Sequence, residues 1–145
     1  MSDADALATR VADAMFARDR ASRALGMRIV RIGPGHAELA MTVRNDMVNG
    51  HALCHGGYIF TLSDSAFAFA CNSYNVNTVA QGCAIEFLAP AHEGDVLTAR
   101  ANERSRAGRT GVYDIEVTNQ RGQTIALFRG KSYQIKGHVI EPAGS

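Results

Sequence analysis

The sequence predicts an α+β fold, an antiparallel β-sheet wrapped around one central buried helix. Three observations predict it. The run Tyr58–Cys71 is the most apolar in the chain and holds a single charged residue, Asp64. Every later segment alternates as a strand does. Two strand-like segments also precede the run, so strands and helices do not alternate as parallel βαβ units would.

The elements follow in chain order. Residues 3–25 are expected to be helical, with Leu7, Val11, Ala14 and Met15 at three-to-four-residue spacing. Asp3 and Asp5 stand at the start, where the helix dipole favours acid. Gly26 ends this helix. Met27–Ile32 is a short strand, Gly33–Pro34–Gly35 a turn, and His36–Arg44 a second strand, together a hairpin. In the second strand Ala37, Leu39, Met41 and Val43 share one side, and Glu38 and Thr42 the other. Residues 45–55 form a polar loop that leads into the buried helix, which runs to about Ser73. A meander of about four strands is expected after it, at Thr78–Leu88, Asp95–Arg106, Thr110–Thr118 and Gln123–Lys136, with a turn at Asn119–Gly122. In Thr110–Thr118, Tyr113, Ile115 and Val117 oppose Val112, Asp114, Glu116 and Thr118. The tail 137–145 contains Gly and Pro and is expected to be loose. No internal repeat or linker divides the chain, so residues 1–145 read as a single domain.

Composition narrows the function. With 46% apolar and 20% charged residues the chain is an ordinary globular one, and 145 residues suffice for one core. A net charge of +1 gives no reason to expect a nucleic-acid or membrane partner. No apolar run reaches the roughly 18 residues of a membrane span. The start, Met1–Ser–Asp–Ala–Asp5, lacks a basic leader and apolar stretch, so a cytoplasmic location is expected. The cysteines, Cys54, Cys71 and Cys83, are odd in number and are expected to be free thiols. His51, Cys54 and His55 lie close together, but no second Cys/His pair completes the spacing of a zinc site. Neither a metal nor a redox cofactor is expected.

The apolar run has no polar face, so it is expected to be buried on all sides. A lone carboxylate in such a helix is costly unless it is hydrogen-bonded, paired or neutral, which makes Asp64 the first candidate for function. A sheet curled around one helix still leaves edges and an uncovered helix flank. Pairing of two chains would cover both.

The string Asn49–Gly–His–Ala–Leu–Cys–His55–Gly56–Gly57, followed seven residues later by Asp64, resembles the signature of hotdog-fold acyl-CoA thioesterases. It is most similar to the phenylacetic-acid-degradation (PaaI) type. Gly108–Asp114 and Leu127–Tyr133 resemble later strands of that family, and the element order agrees over nearly the whole chain. The resemblance implies a hydrolase that cleaves aryl-acyl-CoA thioesters, such as phenylacetyl- or hydroxyphenylacetyl-CoA, during aromatic-acid breakdown. Coenzyme A is then part of the substrate. The resemblance also implies a homodimer with shared active sites, paired again into a homotetramer.

The resemblance assigns the site residues as follows. Asp64 is the catalytic carboxylate, either general base for water or nucleophile forming a mixed anhydride. The amide of Gly57, with Gly56 beside it, stabilises the oxyanion at the start of the helix. His55 holds the turn or the thioester, Asn49 places the water or the thioester, and Ser65 hydrogen-bonds near the reacting centre. Asp64 lies about 10 Å along the helix axis from Gly57, too far for both to meet one carbonyl, unless the two come from different subunits. Among the basic residues, Arg109 and Lys131 are the candidates for the phosphates of CoA.

Each residue also has a plain structural reading. Asp64 is then an acid satisfied by a neighbour, His55–Gly56–Gly57 a helix-entry turn, and Asn49–Gly50 a turn dipeptide. Tyr58, Phe60, Phe67, Phe69 and Phe87 are core by default. A hotdog hydratase or dehydratase would pair an acid with a helical histidine, and none occurs between Tyr58 and Ser73. A non-catalytic acyl-CoA sensor would need a DNA-binding segment, and the ~25 residues before the first strand are too few for one.

Overall fold

A computed structural model describes residues 1–142 of the protein. The order is α1 (Asp3–Arg18), α2 (Arg20–Ala24), β1 (Arg28–Gly33), β2 (His36–Thr42), a 3-10 turn at Asn45–Met47, α3 (Gly56–Cys71), β3 (Thr78–Phe87), β4 (Val96–Ala107), β5 (Thr110–Thr118) and β6 (Thr124–Gln134). All strand pairs are antiparallel, in one six-stranded sheet of order β1-β2-β4-β5-β6-β3. One face of that sheet carries α3, as the sequence predicts.

The N-terminal helix expected over 3–25 is broken. Asp19 ends α1 and caps α2, its Oδ1 accepting from the Ser22 N–H at 2.9 Å. A carboxylate that satisfies the free amides of a new first turn favours a cap over continuation. The strand order also differs from a plain meander. Of the four strands after α3, only β4, β5 and β6 follow one another, while β3 pairs with β6 at the far edge. The reason lies in α3, which crosses the face of the sheet and delivers the chain to the edge opposite β1.

The core lies between α3 and the sheet. Ala37, Leu39, Met41 and Val43 from the β2 segment, and Tyr113, Ile115 and Val117 from β5, are all buried, matching the alternation in the sequence. Phe67 of α3 packs against Tyr113 and Phe128 with ring centroids 5.6 and 6.1 Å away. This close seat depends on Gly130 of β6. A Cβ there would lie 2.7 Å from the Phe67 ring. Gly130→Ala is expected to destabilise the protein by about 1–3 kcal/mol, since an overpacked core must shift. Urea denaturation measures this, and an unchanged midpoint would contradict the packing described.

The central helix is not buried on all sides. Gly57, Thr61, Asp64 and Ala68, spaced so as to share one face, are exposed or only half-buried. Beside that stripe runs edge strand β3, with Val79 45%, Phe87 53% and, just beyond the strand, Leu88 56% exposed. The tail is less loose than expected as far as residue 142. Asn75 donates through Nδ2 to the Ile140 carbonyl at 3.0 Å and accepts the Ile140 N–H at 2.9 Å, and the Asn77 N–H donates to the Gly137 carbonyl at 3.0 Å. Residues 143–145 of that tail lie outside the described residues.

Candidate active site

The entrance to α3 is a short, rigid turn. His55 is the residue before the first helical turn, in extended conformation, and its Nδ1 accepts the Gly57 N–H at 2.9 Å. Its backbone N–H donates to the Met47 carbonyl at 2.8 Å, which ties the turn to the 3-10 segment. An accepting Nδ1 assigns the proton of the neutral ring to Nε2. The Gly57 amide, expected to face a substrate carbonyl, is therefore engaged by the ring beside it. Among the described residues, the Gly56 amide has no hydrogen-bond acceptor. It is the open donor at the positive end of the α3 dipole.

Gly56 opens on a cavity of about 400 Å³ between the 49–54 loop, the first turns of α3 and the 87–91 segment. Leu53, Cys54, Ile59 and Phe87 line it, with Asn49 as its polar side chain. A Cβ on Gly56 would come within 2.9 Å of the Phe87 ring, so a larger residue there must push that ring aside. Asn49 also shapes the loop. Its Oδ1 accepts from the His51 N–H at 2.9 Å and the Leu53 N–H at 3.2 Å, while its own N–H donates to the Leu53 carbonyl at 2.8 Å. These bonds hold Ala52 in a left-handed conformation, with φ 62°. The structural role and a place on the cavity wall thus fall to the same residue. Among the described residues, the Asn49 Nδ2 has no acceptor, so it remains available as a donor.

Asp64 lies two turns further along α3, on the same face as Gly57. It is half-buried, and among the described residues nothing donates a hydrogen bond to its carboxylate. Burial raises its pKa above the ordinary 3.8, and the Asp19 carboxylate raises it further. The thiols of Cys71, on α3, and Cys83, on β3, feel its charge; burial pushes Cys71 up to about 12 and also raises Cys83. Ser65, next in sequence, turns toward the N-terminal helices. Its Oγ lies 2.7 Å from the Ser22 Oγ.

The fold brings Asn49, His55 and Gly56 to one cavity and leaves Asp64 about 10 Å along the helix axis from Gly57. Arg109 and Lys131 sit elsewhere in the same chain. Lys131 is exposed on the sheet face turned away from α3. The Arg109 carbonyl accepts from Gln134, at the end of β6 opposite Ala126, which pairs with Phe87 at the cavity. Eight strand residues separate these ends, roughly 27 Å. Three further residues bear on the site: Phe87 over Gly56, and Asp19 and Ser22 behind Ser65. The pattern Asp19–Arg–Ala–Ser22 is a legible capping signal, but nothing in it points to α3. Among the described residues, no three His, Cys, Asp or Glu side chains converge on one point as a metal would require.

Chemically, the arrangement offers an unpaired amide at a helix N-terminus, suited to charge developing on an oxygen, and an acid held above its ordinary pKa, suited to proton transfer. Comparison with known proteins places the chain in a family. A family model described as the thioesterase superfamily matches residues 51–126. The acyl-coenzyme A thioesterase PaaI of Escherichia coli K12 is 50% identical over 132 residues, covering 91% of this chain and 94% of the relative. The solved structure of the E. coli PaaI protein from the phenylacetic acid degradation operon matches with a TM-score of 0.91 at 48% identity, covering 92% of this chain and 97% of that one. A hypothetical thioesterase from Streptococcus pneumoniae TIGR4, solved with coenzyme A, matches with a TM-score of 0.78 at 26% identity, covering 87% of this chain and 97% of that one.

Proposed function

The chain belongs to the thioesterase superfamily, with the hotdog fold, and is a thioester hydrolase; from that premise we propose that its substrates are aryl-acyl-CoA thioesters, of the phenylacetyl- and hydroxyphenylacetyl-CoA kind. The observation that carries this is the unpaired Gly56 amide opening on a cavity whose lining holds no charged side chain. An apolar acyl group suits such walls, and Asn49 supplies one polar anchor. The relative's printed origin in a phenylacetic acid degradation operon supports the aryl preference and a role in releasing coenzyme A during aromatic-acid breakdown.

In the proposed reaction the Gly56 amide, on the turn held by His55 and Gly57, stabilises the oxyanion. Asp64 of the partner subunit either takes a proton from the attacking water or attacks the carbonyl itself. The C–S bond then breaks and the thiolate leaves as CoA, taking up the proton released from water. In the second route water then hydrolyses the acyl–Asp64 anhydride, giving the free acid and restoring the carboxylate. The ~10 Å between Gly57 and Asp64 within one chain supports a site shared between two copies. So does the exposed apolar edge at Val79, Phe87 and Leu88, which an antiparallel pairing would cover. A pairing of such dimers makes the homotetramer. Arg109 and Lys131 meet the CoA phosphates across copies, since they lie far from the cavity of their own chain. By either route Asp64 carries the activation, so the proposed reaction uses neither metal nor redox cofactor. The cytoplasm is the proposed location, in keeping with three unpaired cysteines.

Release of free CoA thiol over an acyl-CoA panel tests the reading. Phenylacetyl- and hydroxyphenylacetyl-CoA are expected to exceed acetyl- and long-chain acyl-CoA in kcat/KM by about 10-fold or more. Preference for a linear acyl chain would overturn the aryl assignment. Tight binding of acyl-CoA with no release would overturn hydrolysis itself.

A further inference from the structure

The N-terminal helices lie outside the segment that the family model matches, yet they reach the helix that carries Asp64. Asp19 Oδ1 accepts the Ser22 N–H at 2.9 Å and Asp19 Oδ2 accepts the Ser22 Oγ–H at 2.6 Å. The Ser22 hydroxyl has one proton, and a carboxylate only accepts, so that proton belongs to Asp19. The 2.7 Å contact between Ser22 and Ser65 must then be donated by Ser65.

This sets Ser65 apart from the other hydroxyls of α3. Thr61 and Ser63 donate back to the carbonyls of Gly57 and Ile59, at 2.8 and 2.9 Å, the usual resting place of a hydroxyl inside a helix. Ser65 is drawn off that course toward Ser22, which is itself 1% exposed. Its proton is committed there, so toward any other group Ser65 Oγ can only accept.

We propose that Asp19 and Ser22 are positioning residues of the hydrolytic site: through Ser22, Asp19 holds the Ser65 hydroxyl as an acceptor for a water beside Asp64, and sets a second carboxylate close to Asp64. This rests on the reading of Asp64 given above. A water whose hydrogens point to Asp64 and Ser65 presents its lone pair to a carbonyl. The Asp19 carboxylate beside it also makes Asp64 a stronger base. The titratable groups that face Asp64 are Asp19 at the cap of α2, Cys71 on α3 and Cys83 on β3. Both thiols have raised pKa values and stay neutral through the pH range of the assay, which leaves Asp19 as the charge that acts.

The test is a mutant cycle in the full-length protein, with kcat and KM read from CoA release and Tm read alongside. Ser22→Ala is expected to lower kcat about 10-fold at nearly constant KM, and to lower it no further in a Ser65→Ala background. Asp19→Asn keeps the helix cap through its Oδ1, removes the charge, and replaces the oxygen that accepts the Ser22 hydroxyl with a donating NH2, so its kcat is read together with Ser22→Ala and only its pH profile reports the charge. It is expected to move the acidic limb of the pH profile to lower pH, since the like charge that raises Asp64 is gone. Unchanged kcat in Ser22→Ala, or a loss of equal size in the Ser65→Ala background, would overturn the relay. An unmoved acidic limb in a folded Asp19→Asn would overturn the electrostatic part. Asp64→Asn run beside them separates the two readings, because an active Asp64→Asn overturns the catalytic assignment, whereas an inactive one with unaffected Ser22 and Asp19 variants overturns only this inference.

Discussion

Asp64→Asn is expected to lower kcat for thioester hydrolysis by about 10³-fold or more, the range lost when a positioned proton-transfer group is removed. The same substitution should make the protein more stable at neutral pH. The folded-state pKa of Asp64 is raised, so between the ordinary value of 3.8 and the folded value the native state holds more proton than the unfolded one. Stability contributed by this group therefore falls as pH rises through that window and stays low above it. Asparagine never ionises and escapes the loss. Above the folded pKa the variant should melt at a higher temperature than the wild type, and below 3.8 the difference should close. Melting curves at several pH values, with CoA release on the same samples, check both halves. A variant that is inactive and also less stable at neutral pH would mean that Asp64 is a structural acid with a stabilising partner.

Gly56→Val is expected to reduce kcat/KM about 10²-fold, comparable to displacing a reacting group by an ångström. Even a single added Cβ at this position lies 2.9 Å from the Phe87 ring, and valine adds two methyl groups beyond it. Either the ring swings into the cavity or the helix entrance moves, and each shifts the open amide. Phe87→Ala in the same chain should recover part of the activity by making room. A double variant no better than Gly56→Val would show that the glycine is needed for the turn and not for access to its amide. The measurement is steady-state hydrolysis of phenylacetyl-CoA by the two single variants and the double.

Much of this molecule follows from local pattern. Alternation in His36–Arg44 and Thr110–Thr118 marked the residues that face the helix, because burial on one side of a pleat leaves a period of two. A lone acid in the run Tyr58–Cys71 pointed to Asp64, because charge in apolar surroundings needs a reason. Pairing was not legible in the same way. The alternation of Thr78–Leu88 is the same whether β3 lies beside β4 or beside β6. The break at Asp19 was masked because apolar spacing runs through it. The choice between the Gly56 and Gly57 amides depends on one rotamer of His55. The Ser22–Ser65 bond joins residues 43 positions apart, and no periodicity reports such a contact.

The place of β3 in the sheet has a consequence for how the chain is made. Thr78 pairs with Gln134 and Phe87 with Ala126, so each β3 residue waits for a partner synthesised 39 to 56 residues later. At about 5–20 residues per second, β3 waits several seconds for β6. Its other edge remains open even then, bearing Val79 and Phe87. Helix α3, made of local contacts, can form meanwhile, but the strand that follows it cannot. The nascent chain therefore passes through a stage in which β3 has no hydrogen-bonding neighbour. Chaperone dependence and loss to aggregates during expression should concentrate at that stage, and slowing translation after β3 should increase both.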